Sequence, residues 1–549
     1  MKKTIQKLMA ALLAVAMVCA MAIPAFAGTE GDITTWHSFS AFQIFTGKVE
    51  GNDIKDFKIS NVAWGSNIAD DAAAFLDQLK ADSTLGIQFK GADTAQDVLE
   101  VISQWKDSDA NSIAFARFVC HYLYPDANAK PKPAVEGGGG SDFIHFDEAG
   151  YYLVVDTTPF NPGDFDHAYN SFLLMVTHTN WNVPITPKAE KPSVKKEVFD
   201  NFDNQDGTST GGFGSSADHA INEKFQFKLT ATLPASNARA YDYYDKYTVL
   251  FNDTLSKGIT YDGIDTVVIK SNDKTYDITN DLSKYNVDTS RLKSDNYFVV
   301  GISDVKTCVE DAGFNLNNGA TITVTYTAHL NDKAFVNTTS GSSTENKNSV
   351  QLQYSNNPRD TESFWGHTPK SEVCVYTYQL NNTKYKNSVA DENKLEGAGF
   401  RLYSDAACNE EQEIKLKQNE DGTYSRDFNT EGKGVEMKSA EDGTFNVKGL
   451  DAGTYYLKET STPTGFNTCP VTTVTIKANH TENNVDLTGS TINGEGVGAS
   501  GLSTTIVNKQ GTTLPSTGGI GTTLFYVIGG GLMVAAIVLL VTKKRMENK

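Results

Sequence analysis

The sequence predicts a mainly β fold. Tandem antiparallel β-sandwich domains, the first with inserted helices, stand between an N-terminal signal peptide and a C-terminal transmembrane helix. Three observations predict it. Most of the 549 residues fall into short alternating or β-branched runs parted by Gly, Asn and Asp clusters. The N-terminal third instead holds stretches with apolar residues at helical spacing. Each end of the chain carries an apolar run beside basic residues.

The N-terminus comes first. Lys2, Lys3 and Lys7 precede an apolar stretch from Leu8 to Ile23, and Ala25-Phe26-Ala27 offers a small-residue cleavage site. This is the layout of a secretory signal peptide over residues 1–27, cut between Ala27 and Gly28. Between the two terminal signals lie roughly 485 residues, too many for one core and enough for three domains.

The first domain is expected over 28–187. Ile68 to Lys80 and Thr94 to Trp105 read as helices, and Ile113 to Leu123 as another. Pro131 to Ser141 reads as a flexible loop by composition. Strands return at Gly150 to Val155 and Ser171 to Thr177. Pro184, Pro187 and Pro192 then punctuate a connection that enters a new strand. The middle domain is expected over 188–370, with strands such as Thr321 to Thr327 and Val350 to Tyr354. The third is expected over 371–511, with a strand at Thr472 to Ile476.

Composition excludes several functions. A net charge of −19 with no basic stripe argues against nucleic acid. Cys19 leaves with the signal peptide. Cys120, Cys308, Cys374, Cys408 and Cys469 remain, an odd number without C-x-x-C spacing. A disulfide framework is not expected in so large a chain, although a pairing of Cys408 with Cys469 stays open. The nine histidines form no H-x-x-x-H or H-E-x-x-H pattern, so neither a metal nor a cofactor is read.

The C-terminus is the most specific segment. Leu514-Pro515-Ser516-Thr517-Gly518 precedes an apolar run at 524–541, then Lys543-Lys544-Arg545. The run is long enough to cross a hydrocarbon core as a helix, and the basic residues hold the tail in the cytoplasm. In this order the parts resemble the cell-wall sorting signal of Gram-positive surface proteins. The resemblance implies that a sortase thiolate attacks the Thr517–Gly518 carbonyl and that an amine resolves the acyl-enzyme.

Inside the chain, Thr377 to Lys386 reads as an opening strand. Leu395-Glu396-Gly397-Ala398-Gly399-Phe400 and Gly453-Thr454-Tyr455-Tyr456-Leu457-Lys458-Glu459-Thr460 follow, and Ile506-Val507-Asn508-Lys509 closes the series. This series resembles the collagen-adhesin B-type, Ig-like domain of sortase-assembled pilins. The resemblance implies an intramolecular isopeptide bond between Lys384 and Asn508, promoted by Glu459. The middle domain resembles the A-type partner. In Pro192 to Val198, period-two alternation puts Val194, Lys196 and Val198 on one face. That face is taken as buried, so Lys196 is the chosen nucleophile, with Lys195 in reserve. The resemblance implies Asn348, in the closing run Asn348 to Tyr354, as the acceptor, with Asn346 a competitor on the same face, and Asp253 in Asn252 to Gly258 as the promoting acid.

The chemistry needs these types. A charged lysine is no nucleophile, and burial lowers its pKa. Burial raises that of a carboxyl, which then polarises the amide and shuttles protons as ammonia leaves. A near-repeat, Gly150 to Thr157, has Val155 where the promoting Glu would stand, and Asp156 one residue late on the other face. No isopeptide bond is expected there.

Trp181-Asn182-Val183-Pro184-Ile185-Thr186-Pro187-Lys188 resembles the pilin motif, with Thr186 in place of the usual Tyr. The resemblance implies that Lys188 attacks the acyl-enzyme of the next subunit; Lys191 is the nearest rival. The whole pattern resembles a major shaft pilin, a structural polymer and not an enzyme. Its implied partners are a pilin-type sortase, identical subunits, minor pilins, and peptidoglycan through a housekeeping sortase. Any host ligand is unreadable. A monomeric wall-anchored adhesin, or a minor tip or base pilin, is the alternative. A wall-anchored enzyme would need a titratable cluster in a cleft.

Overall fold

The computed structural model describes residues 38–50, 58–106, 109–126, 129–136, 143–158, 171–176, 181–184, 191–201, 211–236, 239–284, 296–341, 346–359, 365–429, 431–511 and 520–547. The signal peptide with Ala27 and Gly28, Lys188 of the pilin motif, and the pentapeptide Leu514 to Gly518 lie outside the described residues.

In the first unit one sheet runs in the order Lys58–Trp64, Phe39–Glu50, Gly150–Asp156, Phe172–Val176. The expected loop from 131 departs from its reading: Val135–Glu136 pairs antiparallel with Ser40 and Ala41. Ala134 N–H donates to Ala41 O at 2.9 Å, so the backbone groups of this segment find ladder partners despite its proline content.

The expected helices form at Ala72–Ala81, Ala95–Ile102 and Ala110–Leu123, joined by a short one at Gly86–Phe89. The first starts late because Ala69–Asp71 winds as a 3-10 turn. The second is set by its N-cap. Thr94 accepts from Asp97 N–H while the Asp97 carboxylate accepts from Thr94 N–H, which satisfies orphan donors from both sides. These helices cover one face of the sheet, where Tyr151, Leu153 and Val155 meet Phe75, Val98 and Phe115. Tyr152 and Val154 point the other way, into an apolar cluster continuous with the middle unit. Gly150–Asp156 is therefore buried on both faces.

The middle unit is a two-sheet sandwich. One sheet runs Lys274–Asp277, Ile259–Ser271, Ala320–Leu330, Lys224–Leu233, Ser193–Asp200, Gly212–Gly214. The facing sheet runs Ser216–Asp218, Ser371–Tyr376, Lys347–Ser355, Val249–Leu255, Tyr297–Ile302. Strict alternation of burial along Ala320–Leu330 and Lys224–Leu233 presents one apolar face of the first sheet to the second.

One boundary moves. Ser371–Tyr376 pairs with the closing strand Lys347–Ser355, so the middle unit extends to about Thr377 instead of ending at 370. The hydrophobic run Val373–Tyr376 is a strand of the preceding core as well as the approach to the next.

The third unit is also a two-sheet sandwich. Its first sheet runs Leu416–Gln418, Tyr424–Arg426, Val447–Leu450, Tyr378–Lys386, Ser503–Asn508. Its second runs Glu413–Ile414, Gly399–Tyr403, Gly453–Ser461, Thr472–Ile476, Thr491–Ile492, Glu495–Gly496. Beyond it a single helix, Ile520–Glu547, is long and apolar enough to cross a membrane from Leu524 onward.

Candidate functional site

Two buried polar clusters stand out, one in each of the last two sandwiches. In the third unit, alternation along Tyr378–Lys386 turns Lys384 inward with Tyr378, Leu380 and Asn382. Its neighbour is the last strand, Ser503–Asn508, which runs parallel to it with Lys384 opposite Ile506 and Lys386 opposite Asn508. Asn508 is thus one pleat further along on the same inner face as Lys384. Lys384 Nζ donates to Asn508 Oδ1 at 2.5 Å, and Asn508 Nδ2 donates to Glu459 Oε1 at 2.6 Å. Lys384 Nζ lies 3.5 Å from the same Glu459 oxygen. Glu459 comes from the facing sheet, paired with Phe400, whose ring centroid is 5.1 Å from Lys384 Nζ. All three polar side chains are buried.

Cys469 is a member of this cluster that sequence reasoning missed. Its backbone N–H donates to Glu459 Oε2 at 2.8 Å, and its Sγ lies 3.4 Å from Lys384 Nζ. Burial pushes its thiol up. A pairing with Cys408 does not form: both are free thiols, and Cys469 is turned into the lysine pocket. No sequence signal points to it, because its proximity depends on the loop after the Glu459 strand.

In the middle unit the two sheets supply opposite halves of the cluster. Lys196 projects from Ser193–Asp200 with its side chain 0% exposed, whereas that of Lys195 is 70% exposed and pairs with Glu197 at 2.8 Å. Lys196 Nζ donates to Asp253 Oδ2 and, at 2.9 Å, to the Tyr326 hydroxyl. Asp253 and Asn348 stand on adjacent strands of the other sheet, Asp253 opposite Val350 and Leu255 opposite Asn348. Asn348 Nδ2 donates to the Tyr326 hydroxyl at 2.6 Å, while Asn348 Oδ1 is buried with no hydrogen-bond partner among the described residues. The Tyr326 O–H lies 3.3 Å from both Asp253 oxygens.

Apolar walls complete this pocket, with Lys196 Nζ 5.0 Å from the Phe227 ring centroid and 5.2 Å from that of Tyr326. Burial pulls the Lys196 ammonium down to about 8, against the opposing pull of Asp253. Burial pushes the Asp253 carboxyl up, against Lys196. It also pushes the Tyr326 hydroxyl far above its usual range. Sequence reasoning missed Tyr326; its signal was an inward position in the alternating run Thr321 to Thr327.

The remaining candidates separate cleanly. Asn346 donates to Phe335 O at 2.8 Å and Val375 O at 3.1 Å, and accepts from Phe335 N–H, so its amide ties loop to strand. Lys191 is exposed just ahead of the opening strand. In the first unit the Asp156 carboxylate accepts from Thr158 N–H at 3.0 Å and Thr158 Oγ1 at 2.6 Å. Two groups with possible metal-ligand atoms also converge at the junction of the last two units: Asp200, Asp218 and His480, and His219, Glu223 and Asp451. Neither was legible as a spacing.

Residues 381–491 match the prealbumin-like fold domain family, and residues 506–548 match the LPXTG cell wall anchor motif. The chain is 25% identical over 416 residues to the trypsin-resistant surface T6 protein of Streptococcus pyogenes serotype M6. That alignment covers 65% of this chain and 70% of the relative. Among solved structures it is similar to the T6 backbone pilin of serotype M6 Streptococcus pyogenes, at 16% identity and a TM-score of 0.46. There the match covers 88% of this chain and 100% of the other. It is also similar to the full-length major pilin SpaD from Corynebacterium diphtheriae, at 17% identity and a TM-score of 0.41, covering 89% and 96%.

Proposed function

We propose that this chain, a wall-anchored protein of the backbone-pilin type, is polymerised head to tail by a pilin-type sortase and carries two internal isopeptide bonds. The observation that carries the reading is the Lys384–Asn508–Glu459 cluster, in which amine, amide and carboxyl are in mutual contact without solvent. The anchor match and the T6 relative support the surface assignment.

The chemistry follows from the contacts. Lys384 Nζ attacks Asn508 Cγ through its amine lone pair. The Nζ–Cγ bond forms and the Cγ–Nδ2 bond breaks. Glu459, in contact with both nitrogens, takes a proton from Nζ and delivers one to Nδ2, which leaves as ammonia. The fold holds the reactants together, so no second enzyme is needed. The middle cluster is assigned the same exchange with Lys196, Asn348 and Asp253, the Tyr326 hydroxyl linking Asp253 to the Asn348 nitrogen. Each reaction happens once per chain, which makes the protein a substrate of its own fold and not a turnover enzyme.

Polymerisation is assigned to Thr517 and Lys188. The sortase acyl-enzyme formed at Thr517 is resolved by Lys188 of the next subunit, and the last subunit is passed to peptidoglycan. The test is an immunoblot of wall material released by muramidase and boiled in detergent. A high-mass ladder in wild type that disappears in Lys188→Ala is the expected result. A single band near monomer mass in wild type replaces this reading with a monomeric adhesin. A ladder that survives in Lys188→Ala moves the nucleophile to Lys191.

A further inference from the structure

The junction between the middle and third units holds a buried polar group that crosslinking and sorting do not use. Ile221 N–H donates to Gly449 O at 3.0 Å, and a Cβ on Gly449 would stand 2.5 Å from the Ile221 side chain. Gly449 also has a φ of +74°, so only glycine suits this contact. The close approach lays the segment His219–Glu223 of the middle unit against Asp451 of the third. One ligand atom from each of His219, Glu223 and Asp451 lies within 4.8 Å of the others.

His219 decides what this group can do. Its side chain is buried, and its ring stacks on Phe225 at 4.2 Å and 3°. Nε2 lies 2.7 Å from Phe199 O, and a carbonyl only accepts, so Nε2 carries the proton. Nδ1 is then a bare lone pair, and it has no hydrogen-bond partner among the described residues. A histidine whose outer N–H is fixed by a backbone carbonyl, with the other nitrogen left open, is oriented as metal-bound histidines are.

The carboxylates are supported too. Asn201 Nδ2 donates to Asp451 Oδ2 at 2.9 Å, and Ala452 N–H donates to Asp451 Oδ1 at 3.0 Å. Ala220 N–H donates to Glu223 Oε2 at 3.1 Å.

We propose that His219, Glu223 and Asp451 bind one divalent transition-metal ion of the zinc type, pinning the middle unit to the third. One neutral nitrogen and two carboxylate oxygens form a donor set suited to zinc, with water as the fourth ligand. Two adjacent carboxylates neutralise a divalent charge. Glu223 is partly exposed, which gives the ion its entry. Because its ligands come from both units, a bound ion resists bending at the junction.

The test uses the full-length chain, purified in detergent and stripped with chelator, then titrated calorimetrically with zinc chloride. One equivalent is expected to bind. Glu223→Gln and Asp451→Asn should each weaken binding at least tenfold, and zinc should raise the thermal midpoint of wild type but of neither variant. Glu223→Gln changes a partly exposed side chain, so its fold is retained. No stoichiometric uptake by wild type overturns the proposal. So does uptake unaffected by both variants but lost in Asp200→Asn, which would move the ion to the neighbouring Asp200, Asp218 and His480.

Discussion

Lys196 and Asn348 stand on opposite sheets of the middle sandwich and donate to the same oxygen, the Tyr326 hydroxyl. A bond between them would tie sheet to sheet. Lys384 and Asn508 differ: they stand on parallel neighbours within one sheet, the first and last strands of their unit. Tension entering at Tyr378 and leaving after Asn508 would pass across that bond, and the residues between would carry none of it.

Glu459→Ala should retain one ammonia and appear about 17 Da above the mass calculated for its own crosslinked form, because the proton shuttle to the leaving nitrogen is gone. Lys384 and Asn508 are 124 positions apart, so the loop left open costs about 5 kcal/mol by chain entropy. The thermal transition of this unit should fall accordingly. A variant at the mass calculated for its own crosslinked form would remove Glu459 from the chemistry.

The two candidate acceptors Asn348 and Asn346 should behave oppositely. Asn348→Ala removes the acceptor and leaves Lys196 a free amine, detectable by mass and by tryptic mapping. Asn346→Ala breaks contacts to Phe335 and Val375, and should cost about 1–3 kcal/mol for the groups left unpaired. It should still form the crosslink. A crosslink lost only in Asn346→Ala would reverse the assignment.

Tyr326→Phe keeps the ring against Phe227 and removes only the hydroxyl. Its hydroxyl holds amine and amide together, so crosslinking in the variant should slow by about a hundredfold. The readout is a mass time course on freshly refolded chain. Completion at the wild-type rate would leave Tyr326 a packing residue.

Stability of the uncrosslinked middle unit should depend on pH through Lys196. Burial holds the folded Lys196 ammonium at about 8 against 10.5 unfolded, and Asn348→Ala keeps that burial, so between those values the unfolded chain binds more protons. Stability therefore rises with pH across that window. Buried tyrosines oppose this near the top of it, since folding keeps them protonated. The measurement is therefore the difference in urea midpoint from the same background carrying Lys196→Met. A difference that is flat or falls with pH would mean that Lys196 is not desolvated.

Much of this was legible in the sequence, for identifiable reasons. Period-two alternation placed Lys196 inside and Lys195 outside, because a strand has only two faces. Thr472–Ile476 formed where its β-branched run reads. The apolar C-terminal run became one helix, extended at both ends, since composition and length alone decide that element. Boundaries were less legible: Ser371–Tyr376 looks like the start of a new domain, but its ladder partners belong to the old one.

What the sequence by itself determined was local: helix and strand periodicity, the membrane-length helix, and the inward sense of Lys196 against the outward sense of Lys195. What only the tertiary structure decided was which distant groups meet. Tyr326 bridges amine and amide, Cys469 turns to Lys384 and away from Cys408, and His219 and Glu223 reach Asp451 across a domain junction. Periodicity reports a residue's face within its own element. Which element packs against that face depends on sheet order and register, set by the burial of whole apolar faces and not by any short run of residues.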